Sequence, residues 1–433
     1  MSFPIKHPAS EKESATHSMK RTEEPLLAIQ AASLPASRLH TNTAGQVFSF
    51  LNRGEMIRAM QTHRVWYQAA SSMKPNAFDA RLTEATIARL PQTCVLWKHI
   101  SNLQVTLNDL SGYRHSFRCI RQTLPHLQKL SVNFDEPPSM PFPANTFPPA
   151  LSHLSLNMGD LFGTNAQRSS TGFALAFASC TRLESLMFLS GTPTEAELFA
   201  IGGLNFLKRL CIHNADSSSH KQRIMDFLRS GRQQENSPLT SLQLSRVVLD
   251  NTNVAAFNHF SNLETFTFWY IYASSAEFLQ YLPRLTSLVW NQGHGPRGPT
   301  DLVSSIATCT RLTALALCDV QLYSTELTHM LTPLTALSSL SISFSTTLPF
   351  QTNFYFMRDV PHLSQTLVSL KLDTDIFATL DSELADVARL FKLRSLHLHL
   401  RGWEVEFIKR LSLNHPQRNA NICPLLTSVS VTM

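Results

Sequence analysis

Charge is scarce in this chain, and its basic residues form no continuous block. Of 433 residues only 16% are charged, Lys and Arg never stand more than two in a row, and the net charge of +6 is spread along the whole length. This excludes the dense positive field by which a protein holds nucleic acid or an anionic membrane, so neither partner is expected. Long apolar runs are missing as well. The longest nearly apolar stretch, 198–207, is about half of a membrane span, and the first twenty residues hold no apolar core of the kind a signal peptide carries. Cysteine is too sparse and scattered for a disulfide framework, since seven thiols, an odd number, suit a reducing compartment. A cytoplasmic or nuclear protein is the reading. Phosphate loops, zinc spacings and nucleophile elbows are absent too. No cofactor, no metal and no catalytic residue is therefore expected, and the chain does not read as an enzyme.

What the sequence does contain is a repeat. Hydrophobic content is 43%, enough for a packed interior, but the length is too great for one ordinary core. The pattern Lxx-L-x-L, with any large apolar residue at its third anchor, occurs thirteen times. Its starts are Ile100, Leu127, Leu151, Leu183, Leu207, Leu239, Leu263, Leu285, Leu312, Leu337, Leu367, Leu393 and Leu426, at a mean spacing of about 27 residues. Leucine fills the first anchor in twelve of the thirteen, which chance does not produce.

The spacing has a physical meaning. Side chains alternate along a strand, so positions four and six of each unit share one face and positions three, five and seven the other. Between units lie short helical patterns, including 276–282, 324–330 and 381–390. Strand, loop, helix and return predict an α/β solenoid with a curved parallel sheet inside and helices and loops outside. The longer intervals, 137–149, 217–238, 291–300 and 411–422, read as loops, and the last of these has the turn residues to fold over the edge of the thirteenth strand.

These units resemble the leucine-rich-repeat superfamily over roughly residues 90–433. One departure stands out. The family places Asn or Cys at position nine, where it hydrogen-bonds the loop; here that position holds Asp135, Gly159, Gly191, Ala215, Val247, Ile271, Gly293 and Val320 in successive units. Without such a side-chain ladder the turns should be irregular. Cys180, Cys309 and Cys423 each stand three residues before a first anchor and read as small buried thiols in a tight turn.

Ahead of the repeats the chain divides into a polar tail, 1–36, a short helical segment, 37–72, and a linking or capping helix, 73–99; the repeats then occupy 100–433. The segment 37–72 resembles an F-box. Leu39, the stretch Val47, Phe48, Ser49, Phe50 and Leu51, then Glu55 with Met56, and Arg64 with Trp66 stand at the family's intervals, although His40 replaces the usual Pro. The resemblance implies docking of Leu39, Val47, Phe48, Phe50, Leu51, Met56 and Trp66 on a Skp-type adaptor. The chain would then be the substrate-recognition subunit of a cullin-RING ubiquitin ligase. The alternative is a plain leucine-rich-repeat scaffold whose front helices only cap the first unit.

On the sheet face opposite the anchors, position three is Ser in seven units. Chemistry on this face is hard to build. His397 and His399 share a face with Lys371 and Asp373 but lack a third firm metal ligand. Ser343, Asp373 and His399 fall in the wrong order for a triad, which needs His between the other two. The informative cluster is central: Trp269 and Tyr270, with Arg246 before, Asn291 and Gln292 after, and His213 and Asn214 two units upstream. Aromatics beside Arg and amides are the composition of a protein-interaction hot spot for an unknown protein substrate. The competing reading is that Trp269 lies flat and merely covers its neighbours.

Overall fold

A computed structural model describes residues 79–83, 87, 100–107, 113–134, 141–158, 172–190, 193–213, 237–249, 257–270, 272–292, 299–344, 356–374, 387, 389–400 and 425–432. The chain divides into two compact units, 1–77 and 78–433, and every described residue belongs to the second. Leu39, Val47, Phe48, Phe50, Leu51, Met56, Trp66 and Asn214 lie outside the described residues, as do Cys423 and the segment 411–422.

Among the described residues fourteen strands form one parallel sheet, each hydrogen-bonded to the next in chain order. They are β1 (Asp79–Thr83), β2 (Asn102–Leu107), β3 (Lys129–Phe134), β4 (His153–Asn157), β5 (Ser185–Ser190), β6 (Arg209–Ile212) and β7 (Ser241–Ser245), then β9 (Thr265–Trp269). The remainder are β11 (Ser287–Asn291), β12 (Ala314–Val320), β13 (Ser339–Phe344), β14 (Ser369–Thr374), β15 (Ser395–Leu400) and β16 (Ser428–Thr432). Two short segments, β8 (Val248–Leu249) and β10 (Tyr272–Ala273), pair separately. All thirteen units found in the sequence are strands of this sheet. Anchors stack in register, as in Leu288↔Leu315, Leu315↔Leu340 and Leu340↔Leu370, and they are buried while their sequence neighbours are half-buried. Strand β1 was not expected. Residues 73–99, read as a linking or capping helix, contribute a strand whose Ala80 and Leu82 pair with Leu103 and Val105. An alanine at anchor four hides this unit from a leucine pattern.

Helices return the chain across the opposite side: α1 (Tyr113–Thr123), α2 (Ala174–Ala178), α3 (Glu195–Gly202), a 3-10 helix at Glu277–Tyr281, α4 (Leu302–Ala307), α5 (Ser324–Leu331), α6 (Phe356–Asp359) and α7 (Leu363–Thr366). The 276–282 pattern is thus one tight 3-10 turn, shorter than expected. Where leucine alone would leave gaps between sheet and helices, phenylalanines fill them. Phe142 stacks on Phe173 with ring centroids 4.1 Å apart, and Phe257, Phe266, Phe268, Phe278 and Trp290 form a second aromatic group.

Two devices tie unit to unit, and neither is the expected one. At position two, one backbone carbonyl accepts two N–H groups of the following unit: Gln128 and Lys129 donate to Ser101, Thr286 and Ser287 to Glu264, Ser338 and Ser339 to Thr313. Hydroxyls at the same position reinforce the row. Ser152, Thr240, Thr286, Thr313, Ser338 and Thr427 each donate to the position-two carbonyl before them, at 3.0–3.3 Å. A side-chain ladder therefore does support the repeat, at the amino end of the strands rather than at position nine.

The second device is a carboxylate clamp. Glu197, buried in α3, accepts the N–H of Thr194 at 2.7 Å and, with its other oxygen, that of Phe173 at 2.8 Å in the preceding unit. Gly172 leaves room for that oxygen, which would lie 3.2 Å from an added Cβ. Asp301 makes a simpler tie, a single oxygen accepting both the Ala276 N–H at 2.8 Å and the Ser275 O–H at 2.6 Å of the preceding unit. Both clamps place a negative charge at helix starts, where the unpaired N–H groups need an acceptor.

Candidate functional site

The face opposite the anchors presents positions three, five and seven as three rows across the sheet. Its far end is serine-rich, with Ser339, Ser341 and Ser343 on β13 beside Ser369 on β14. Register places Ser343 beside Asp373 and Asp373 beside His399, so the acid separates Ser from His and no proton relay can form. Among the described residues no group of three or more His, Cys, Asp or Glu could hold a metal. The described thiols of this region are kept protonated. Burial pushes Cys211 and Cys180 up to about 12 and Cys309 to about 11. Cys318 is raised by burial first and by Asp319 and Asp373, against Lys371. A protonated thiol is a poor nucleophile. Cys180 and Cys309 are buried three residues before their anchors, as a small side chain in a tight turn should be.

The centre of the face is different. Trp269 ends β9 opposite Ser245 of β7. Its ring is half-buried, and its Nε1 is covered by protein with no hydrogen-bond partner. Ser245 and Asn291, its neighbours in row seven, are both buried, as a ring lying low between them would make them. Tyr270 follows and is 47% exposed. His213 is held at the edge of the group: its N–H donates to the Phe188 carbonyl at 2.8 Å, and Gln243 donates to its Nε2 at 2.8 Å. Burial lowers the His213 pKa below the usual imidazole value, so it is a neutral acceptor at pH 7.

Backbone conformation is unusual at two of these residues and at Asp319 of β12. Arg246, Tyr270 and Asp319 have φ of 58°, 55° and 56°, the left-handed region that side chains with a Cβ rarely enter. All three occupy position eight, and the Arg246 N–H donates to the Trp269 carbonyl at 2.8 Å. The kink turns the next residue inward: Val247 and Val320 are 1% exposed. After it, units six and seven make a second short ladder, Val248↔Tyr272 and Leu249↔Ala273. Strain of this kind gathers at binding sites.

The structure thus joins Arg246 to Trp269 through the backbone, with Tyr270 next along the chain, and places His213 one strand from Arg246 and two from Trp269. It removes Asn291 and Gln292 from the surface. Both were expected to line the patch and both are buried, at 6% and 7%. The reason is local: β11 does not kink, so Asn291 stays in register with Cys318, and the Gln292 N–H donates to the Cys318 carbonyl at 3.1 Å. Gln243, which bonds to His213, is not singled out by the sequence. A signal for the kinks was present, because Val247, Ile271 and Val320 are the β-branched residues at position nine.

Parallel strands with leucine anchors in register, one strand per repeat, returned by outer helices, decide the architecture. The fold is a leucine-rich-repeat solenoid. No protein-family model matches the sequence, and no curated protein matches it. Solved structures are. An internalin (inlF) from Listeria monocytogenes is 15% identical over 88% of this chain and 94% of that one, with a TM-score of 0.39. TLR13, solved as a complex with ssRNA13, is 17% identical over 79% of this chain, with a TM-score of 0.43, and this solenoid spans 48% of it. An internalin C2 from Listeria monocytogenes is 18% identical over 55% of this chain and 84% of that one, with a TM-score of 0.27. No helix among the described residues is long and apolar enough to cross a membrane.

Proposed function

We propose that this solenoid is a non-catalytic receptor that binds a protein substrate through Trp269, Tyr270, Arg246 and His213. The observation that carries this is Tyr270, a large aromatic held exposed in a strained conformation beside a half-exposed indole on an otherwise serine-rich face. Exposed aromatics next to Arg supply most of the energy of protein interfaces. A glycine relieves left-handed strain, worth about 1 kcal/mol, so Tyr270→Gly separates the two roles of the residue. It should leave the melting temperature unchanged or raised, while weakening a protein retained by the wild-type chain by about 2 kcal/mol. Lost stability with unaltered binding, measured by thermal unfolding and titration, refutes the site.

We further propose that the receptor serves a Skp–cullin–F-box ubiquitin ligase, with Leu39, Val47, Phe48, Phe50, Leu51, Met56 and Trp66 docking the Skp-type adaptor. The pattern of residues 39–66 supports this reading, and the receptor's contribution to ubiquitin transfer would be proximity alone. Full-length protein should co-purify with the adaptor, and deletion of 37–72 should abolish this while the repeats stay folded by circular dichroism. An adaptor that does not bind at micromolar concentration leaves a solenoid scaffold outside the ligase system.

A further inference from the structure

The low average charge conceals one concentrated region. From 111 to 134 the sequence contains no Asp or Glu but does contain Arg114, His115, Arg118, Arg121, His126 and Lys129. Helix α1 buries Tyr113, Ser116, Phe117, Cys119, Ile120 and Thr123 against the core, and Arg114, His115, Arg118 and Arg121 are left exposed. The three arginines follow i, i+4, i+7, so they form one stripe about 10 Å long on the outer surface of the helix.

Two of them are held in place without losing their charge. Arg114 Nη2 donates to the Pro141 carbonyl at 2.9 Å, and Arg121 Nη1 donates to the Asn145 carbonyl at 2.7 Å. A neutral carbonyl fixes a guanidinium and leaves its remaining N–H groups for another acceptor. Arg118, between them, makes neither a hydrogen bond nor an ion pair among the described residues. The result is a row of three exposed cations, its two ends held in place, that no acid pairs among the described residues.

We propose that this face of α1 docks an acidic polypeptide segment, at a site separate from the Trp269 group. Guanidinium forks match carboxylates in pairs of hydrogen bonds, and a partner with carboxylates about a helical turn apart meets all three. Single-stranded nucleic acid is disfavoured because the exposed residues of α1 include no Phe, Tyr or Trp and only one small ring, that of His115, on which a base could stack. A membrane surface is disfavoured because they include no large apolar side chain to insert.

The test is fluorescence anisotropy with the full chain and three probes: a labelled Glu-rich 15-residue peptide, the same peptide with Gln for Glu, and a labelled single-stranded oligonucleotide of equal charge. Sedimentation with vesicles containing phosphatidylserine is run beside them. The Glu peptide should bind, more weakly as salt rises, and the Gln peptide should not. Arg118→Glu, which touches no structural bond, should weaken the Glu peptide about tenfold or more at an unchanged melting temperature. The proposal is overturned if the Glu peptide does not bind, if Arg118→Glu binds it as well as wild type, or if oligonucleotide or vesicle is bound more tightly.

Discussion

Trp290→Ala should lower the free energy of unfolding by about 3–5 kcal/mol, the range for emptying a large aromatic site in a packed core. Trp290 is the third anchor of its unit and 0% exposed. Its ring lies 5.6 Å from Phe268 of the preceding strand and stacks on Phe278 of the intervening 3-10 helix at 6.2 Å. Removing it opens a void shared by two units, and a β-strand locked into fourteen-fold register cannot collapse to fill it. The indole Nε1 has no hydrogen-bond partner, so packing alone is lost. It follows that Trp290→Phe should cost much less than Trp290→Ala, because it keeps a ring and removes an unpaired buried donor. Urea denaturation measures both, and a loss under about 1 kcal/mol for Ala would show that the aromatic group is not close-packed.

Glu197→Ala is expected to be nearly as damaging, for an unrelated reason. The side chain is 5% exposed and serves two helix starts at once, its own through Thr194 and that of the preceding unit through Phe173. Alanine strands two buried backbone donors, each costing about 1–3 kcal/mol, for a total of about 2–6 kcal/mol. Glu197→Gln should fall between, since its amide offers one acceptor and turns a donor toward the other N–H. Hydrogen exchange supplies the specific readout: the Phe173 amide should exchange faster in both variants while the position-two amides keep their rates. A neutral Glu197→Ala would mean that water replaces the carboxylate without loss.

The parts of this molecule legible in the sequence were those set by apolar periodicity. A leucine at position four of a unit shares the anchor face of the strand, so the burial of Leu242, Leu315 and Leu370 is legible from spacing alone. Strand β1 escaped because Ala80 stands where leucine was sought, and register, not composition, makes it a repeat. The tie between units escaped because serine and threonine at position two look like ordinary surface residues. Only the carbonyl beside each hydroxyl shows the row. In the candidate site, Trp269 and Tyr270 were legible as aromatics in an open row. Asn291 and Gln292 were misjudged because alternation predicts which face a residue takes, not whether its neighbour covers it.

The position-two row joins each unit only to the one before it, through a single carbonyl and two N–H groups. Nothing in that row reaches farther along the chain. Under tension applied at its two ends, such a molecule comes apart by one repeat at a time. Each rupture releases about 27 residues, or roughly 90 Å of extended chain.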